Sequence, residues 1–347
     1  MSASTAIALL GAIISQSPTV AGTAFDSSSA KTPPPGSAGN PLCGPLPFAS
    51  LNWGPKRGPL HLSGTVLVGP GQVLELLAGT LVLAEAEPAC QDSTHSGDGT
   101  MILVVGGSLR VKGLPGHPVV FQPSLQGNGF GWGGIRAESA AVGTVDLAWP
   151  EVRRARTGIS FVAGSGEVRH GVVVDCGIGI AAISGAAPRI LHSVVARSLL
   201  ADAVSERSAP LFRSCLFLDG KGDGLRFQGT GLARVENSCF WNHGGITVVR
   251  GQAGLGRWTS DTLPDRYGNW RRDPLLRGSA GDLEATAIFS RKMAGLPWWK
   301  RTRMPREPPG AGPWALSGLS PLLGAGERGL CKLPEGTRCD IGLWSWF

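Results

Sequence analysis

The chain has 347 residues, 42% of them hydrophobic and only 16% charged, with 52 glycines and one tyrosine. That much apolar material excludes wholesale disorder, and low charge with abundant glycine argues against a helical bundle and for short strands joined by turns. The net charge is +7, and no apolar run approaches the roughly 20 residues that a membrane-spanning helix needs.

The first element is an apolar run, TAIALLGAII, at residues 5–14, followed by small residues at Ala21, Gly22 and Ala24. It resembles the hydrophobic and cleavage regions of a secretory signal, although no Lys or Arg precedes it. The expectation is a signal peptide over 1–24 and a protein that is secreted, periplasmic or on the cell surface. Residues 25–57 are rich in Ser, Pro and Gly and read as a linker. Seven cysteines occur with no C-x-x-C pair, which leaves a zinc ribbon or thioredoxin-type site unsupported. In an oxidising compartment Cys331 can pair with Cys339, and Cys43 with Cys90. Cys176, Cys215 and Cys239 read as buried thiols.

Residues 58–254 read as strand-and-turn coils. From Val145 the chain divides into five pieces of about 22 residues each. A first apolar position recurs at Val145, Val168, Ile190, Phe212 and Val235. A small residue recurs at Gly171, Ser193, Cys215 and Ser238, followed by Val172, Val194, Leu216 and Cys239. A Gly-aliphatic pair recurs at Gly158-Ile159, Gly179-Ile180, Gly224-Leu225 and Gly245-Ile246, but the third piece carries Ala201-Asp202-Ala203 there. One piece cannot bury its apolar face alone, whereas stacked pieces bury a continuous core, so the pattern predicts a solenoid of parallel strands. A leucine-rich repeat has an overlapping period, but it needs Leu at fixed columns where this chain mixes Val, Ile, Phe and Ala. Earlier segments have the same style with longer interruptions: 63–83 (SGTVLVGPGQVLELLAGTLVL), 101–121 (MILVVGGSLRVKGLPGHPVVF) and GWGGI at 131–135. The polar stretch CQDSTHSGDG at 90–99 reads as an insertion off one coil.

Together with LSPLLGAG at 319–326 and EGTRCDIGLW at 335–344, these segments resemble the exported right-handed parallel β-helix proteins of the pectate-lyase-like superfamily, over roughly residues 60–344. The resemblance implies an all-β right-handed parallel β-helix of about nine or ten coils, closed by a C-terminal capping segment over 255–347. It implies no single activity, because that superfamily includes lyases, hydrolases, epimerases, adhesins and surface proteins of other roles. The chain lacks an Asp-His pair like that of pectate lyases, and it lacks the consecutive-aspartate and Gly-His-Gly signatures of polygalacturonases.

Chemistry must therefore be sought in side-chain clusters. The densest is DGKGDGLRF, with Asp219, Lys221, Asp223 and Arg226. Asp202 precedes Asp223 by about one coil, so the two carboxylates could stack, repel, and raise a pKa or hold a cation. A lyase or glycoside hydrolase acting on an acidic polysaccharide would use such carboxylates and bases. The competing reading is that Asp and Gly simply make the turn. A second column, Asp175, Arg197, Asp219 and Asn242, alternates in character and reads as a ladder of hydrogen bonds and ion pairs. His170 and His192 can stack, but His243 lies outside their column, so no metal site is expected. Ca²⁺ has a loose candidate site at Asp92, His95 and Asp98.

The last region is basic and aromatic. From Arg250 onward there are 15 Lys+Arg and 9 Asp+Glu, which holds +6 of the net +7, and seven of the eleven Trp lie there. Residues 290–309 (SRKMAGLPWWKRTRMPREPP) combine Trp298 and Trp299 with Lys300, Arg301 and Arg303. Trp can stack on sugar rings and Arg can fork onto carboxylate or sulfate. The same residues could touch an anionic membrane surface or cap the last coil. No nucleic-acid motif is present. The expectation is a non-catalytic exported protein that binds glycan or a cell-envelope partner. The alternatives are a polysaccharide lyase or hydrolase, and a purely structural envelope or adhesin segment.

Overall fold

The computed structural model describes residues 41–85, 99–124, 130–138, 144–229, 231, 233–245, 264–265 and 267–274. Among them are 23 strands and a single 3-10 turn, Pro55–Arg57. The strands pair in parallel and form one sheet of 15 strands and one of eight. Parallel neighbours need a crossover between them, and here other strands supply it, so the chain winds as a solenoid compatible with a parallel β-helix.

Three faces result from two sheets. Strand Leu60–Val68 is nine residues long. Its first part, at Leu60 and Leu62, pairs with Val82 and Ala84, while Val66 and Val68 pair with Ile102 and Val104. It thereby joins two faces into the 15-stranded sheet, and the eight-stranded sheet makes the third. One later turn of the chain shows the scheme: Glu167–Arg169 lies on the first face, Val172–Val174 on the second, and Ile178–Ile183 on the third.

Inward side chains stack in columns. Leu76, Val111, Leu147, Val168, Ile190, Phe212 and Val235 are in register on the first face. Val82, Phe121, Val152, Val173, Val195, Phe217 and Phe240 run along the second. Ile102, Ile135, Ile159, Ile180, Ala203 and Leu225 run along the third. All belong to one buried core cluster. The expected column therefore stands with one correction. Leu147, not Val145, is opposite Val168. Both side chains are buried, because a strand of period two sends alternate residues inward, and residue counting picked the wrong one of the pair.

Corners between faces are made by single residues in the left-handed region. Trp149, His170, His192, Ser214 and Asn237 have φ between 46° and 55° and form one column. Arg154, Asp175, Arg197, Asp219 and Asn242 form a second, with φ from 55° to 57°. One left-handed residue reverses the local twist and turns the strand onto the next face. Non-glycine residues adopt it at a penalty of about 1 kcal/mol each, which Asn and Asp reduce by local hydrogen bonds. The small-residue column follows the first corner and satisfies backbone donors where the sheets break. Gly171 N–H donates to Ser193 Oγ at 3.0 Å, Cys215 N–H to Ser238 Oγ at 3.1 Å, and Ser238 N–H to Asn269 Oδ1 at 3.0 Å. Trp270 makes a parallel bridge with Cys239, so the ladder continues past the last expected coil at residue 254.

Candidate functional site: the second corner

In the DGKGDGLRF cluster Asp219 forms the second corner, and Asp223 and Arg226 follow in strand Asp223–Gln228. The corner's outer edge is the predicted ladder. Arg197 Nε and Nη2 donate to Asp175 Oδ1 and Oδ2 at 2.7 and 2.6 Å. This hydrogen-bonded pairing holds the Arg197 guanidinium above its ordinary pKa, against a smaller opposing effect of burial. One step on, Asn242 Nδ2 donates to Asp219 Oδ1 at 2.8 Å. Leu199 and Leu200, just after Arg197, and Trp241, just before Asn242, are exposed hydrophobic residues.

Asp223 and Arg226 are brought together within one strand, with Arg226 Nε and Nη2 at 2.9 and 2.7 Å from Asp223 Oδ2. Lys221 is exposed, and its backbone N–H donates to Ser198 O. The proposed stack of Asp202 on Asp223 does not form. The register places Ala201, not Asp202, opposite Asp223. The one-residue offset sends Asp202 to a wholly buried position while Asp223 stays at the surface margin.

Asp202 instead meets His243. Its Oδ2 is 2.8 Å from His243 Nε2, and both side chains are buried. Three local features create the space. Asp202 stands where neighbouring coils carry Gly158, Gly179 and Gly224, in the pattern already evident in the sequence. At Gly179 a Cβ would collide with Val195 Cγ1. On the coil between the partners is Gly220, whose absent Cβ would sit 2.9 Å from His243 Cδ2 and 3.4 Å from both Asp202 oxygens. Burial raises the Asp202 pKa, opposed by His243 and by Ser198, whose backbone N–H lies 3.4 Å from Oδ1. Sequence reading found the departure from glycine at 202 but not its partner, because the contact spans 41 residues and skips a coil.

The other candidates separate cleanly. Trp149, His170 and His192 form a ring stack at the first corner, with centroids 4.6 and 5.4 Å apart. Burial, then His170 and Arg213, lowers the His192 pKa to about 4. Among the described residues no group of three His, Cys, Asp or Glu side chains is placed to hold a metal ion. Cys176, Cys215 and Cys239 are free and buried, and burial pushes each thiol up to about 12. Cys43 is disulfide-bonded. Its expected partner Cys90, the pair Cys331 and Cys339, the Ca²⁺ candidates Asp92, His95 and Asp98, and Trp298, Trp299, Lys300, Arg301 and Arg303 lie outside the described residues. No helix among the described residues is long and apolar enough to cross a membrane.

Comparison with known proteins finds no family model, curated protein or solved structure that matches this chain.

Proposed function

We propose that the chain is an exported right-handed parallel β-helix, with coils of about 22 residues and a C-terminal closing segment, that binds an acidic glycan or another cell-envelope component without cleaving it. The observation that carries the non-catalytic reading is the commitment of the cluster's carboxylates. Asp202 is hydrogen-bonded to His243 in the interior, Asp219 to Asn242, and Asp223 to Arg226. A glycosidase or lyase presents a carboxylate or base to its substrate, and these three groups are instead engaged within the protein.

Support for binding comes from the corner's outer edge. Exposed Leu199 and Leu200 follow Arg197 of the Asp175–Arg197 pair, and exposed Trp241 precedes Asn242 of the Asp219–Asn242 pair. Successive parallel strands repeat at about 4.8 Å, a rise that suits an extended polymer. Trp298, Trp299, Lys300, Arg301 and Arg303 supply the cationic aromatic contact. The Cys43 disulfide fits an oxidising compartment.

The test incubates the full chain with acidic and neutral polysaccharides and reads bound protein and new chain ends from the same tubes. The expected result is binding without new ends, weakened severalfold by raised salt and by Trp299→Ala. New ends that disappear in Asp223→Ala would establish a hydrolase or lyase and overturn the proposal. No binding to any polymer would leave a purely structural envelope role.

A further inference from the structure

Asp202 and His243 are far apart in sequence, and the intervening coil passes between them at Gly220. His243 lies in the turn after strand Cys239–Trp241, followed by Gly244 and Gly245, whose N–H groups donate to Gly220 and Gly222 carbonyls at 2.8 and 3.0 Å. The pair therefore ties the turn at 242–245 to a strand two coils back. We propose that Asp202 and His243 form a proton-dependent clamp on this corner, closed when the pair holds one proton and released when it holds none or two.

The argument is one of buried charge. With one proton the pair is neutral overall, as aspartate with imidazolium or as carboxylic acid with imidazole. Without it a carboxylate is left in the interior with a neutral ring, and a second proton leaves an imidazolium beside a neutral acid. Either state buries an uncompensated charge, which the corner relieves by opening to water. The surrounding groups do not supply the missing charge. Cys176, on the preceding coil, is a buried thiol whose own pKa is pushed up by burial. On the coil between them, Asp219 is bonded to Asn242, and Asp223 is bonded to Arg226. Lys221 on that same coil is exposed. Ser198 is the polar neighbour on the Asp202 coil.

The sign follows from proton counting. In an open corner the side chains are solvated and ionise as such groups do in water, aspartate with an ordinary value of 3.8 and histidine of about 6.5. Between those values open and closed forms each hold one proton, so closure is insensitive to pH. Above them the open form holds none, so closure weakens as pH rises. Below them the open form holds two, so closure weakens as pH falls.

Native-state hydrogen exchange of peptides covering 239–245, corrected for intrinsic rate at each pH, reads the clamp in the full chain. In the wild type, protection is greatest between about pH 4 and 6.5 and falls at least tenfold by about pH 9. Peptides from Val73–Leu77, several coils away, serve as the distant reference and do not share the profile. Asp202→Asn removes the alkaline fall, because no carboxylate remains to be bared. His243→Gln removes the acid fall and moves the other one down, so that protection falls as pH rises from about 4. A wild-type profile flat within threefold from pH 4 to 9 overturns the clamp without recourse to a variant. An alkaline fall unchanged in Asp202→Asn does the same.

Discussion

His192 sits in a left-handed corner with its ring 5.4 Å from that of His170. Its pKa falls from the ordinary 6.5 to about 4, so the unfolded chain takes up this proton well before the folded one. The resulting stabilisation is full above pH 6.5 and is lost as pH falls through about 4. The difference is worth about 3 kcal/mol. Urea midpoints measured at about pH 7 and pH 4 should differ less in His192→Asn, which tolerates the same backbone and does not titrate there. Equal pH dependence in the two proteins would show that the ring does not titrate on unfolding. At this scale the sequence is half legible. The stack of His170 on His192 follows from their spacing. The Asp202–His243 contact does not, because it depends on Gly220 lacking a side chain, and a glycine in a turn has many other reasons to be there.

The strands differ by face in a way that their sequences explain. On the first face EVR and RVE alternate, with only the central Val buried. On the second face VVV, VVA and LFL are buried throughout. Their inward residues join the main core, and Val172, Val174, Val194, Ala196, Leu216, Leu218 and Cys239 form a second cluster against which Trp149 and Trp270 pack. An alternating strand has one solvated side, and a continuous apolar run has two covered ones. Phe217 is central to the second face. It lies parallel to Phe240 at 4.9 Å and edge-on to Phe212 at 5.5 Å. Phe217→Ala should cost about 3–5 kcal/mol, read as a lowered urea midpoint. A cost below about 1 kcal/mol would mean that the neighbouring coils collapse into the space. Strand positions were legible because apolar columns recur at near-constant spacing. The slip between Val145 and Leu147 was not, since both satisfy an alternating pattern.

Coils that touch only their neighbours make stability a sum of local terms. Deleting residues 167–188 joins Gly166 to Arg189 and keeps register, because Glu167 and Arg189 are already partners. The shortened chain should retain its β-sheet circular dichroism, with a urea m-value reduced in proportion to the surface removed. Deleting 189–210 also keeps register, since Arg189 and Leu211 are partners, but it removes Asp202 and leaves His243 buried alone. That variant should be less stable than the first by about 3–5 kcal/mol. Equal stability of the two would mean that the pair contributes nothing to the whole. The solenoid was legible at this scale because repetition writes the same instruction several times. The chemistry was not, because a repeat specifies packing, and a site is whatever departs from it at single positions such as Asp202. Strand Leu60–Val68 adds one consequence. Spanning two faces at once, with Leu42–Pro45 paired along its other side, it offers a ready template to the coils that follow, and each new coil then needs only its predecessor. Such a molecule can assemble in the order in which it is synthesised, one short loop closure at a time, without waiting for its distant end.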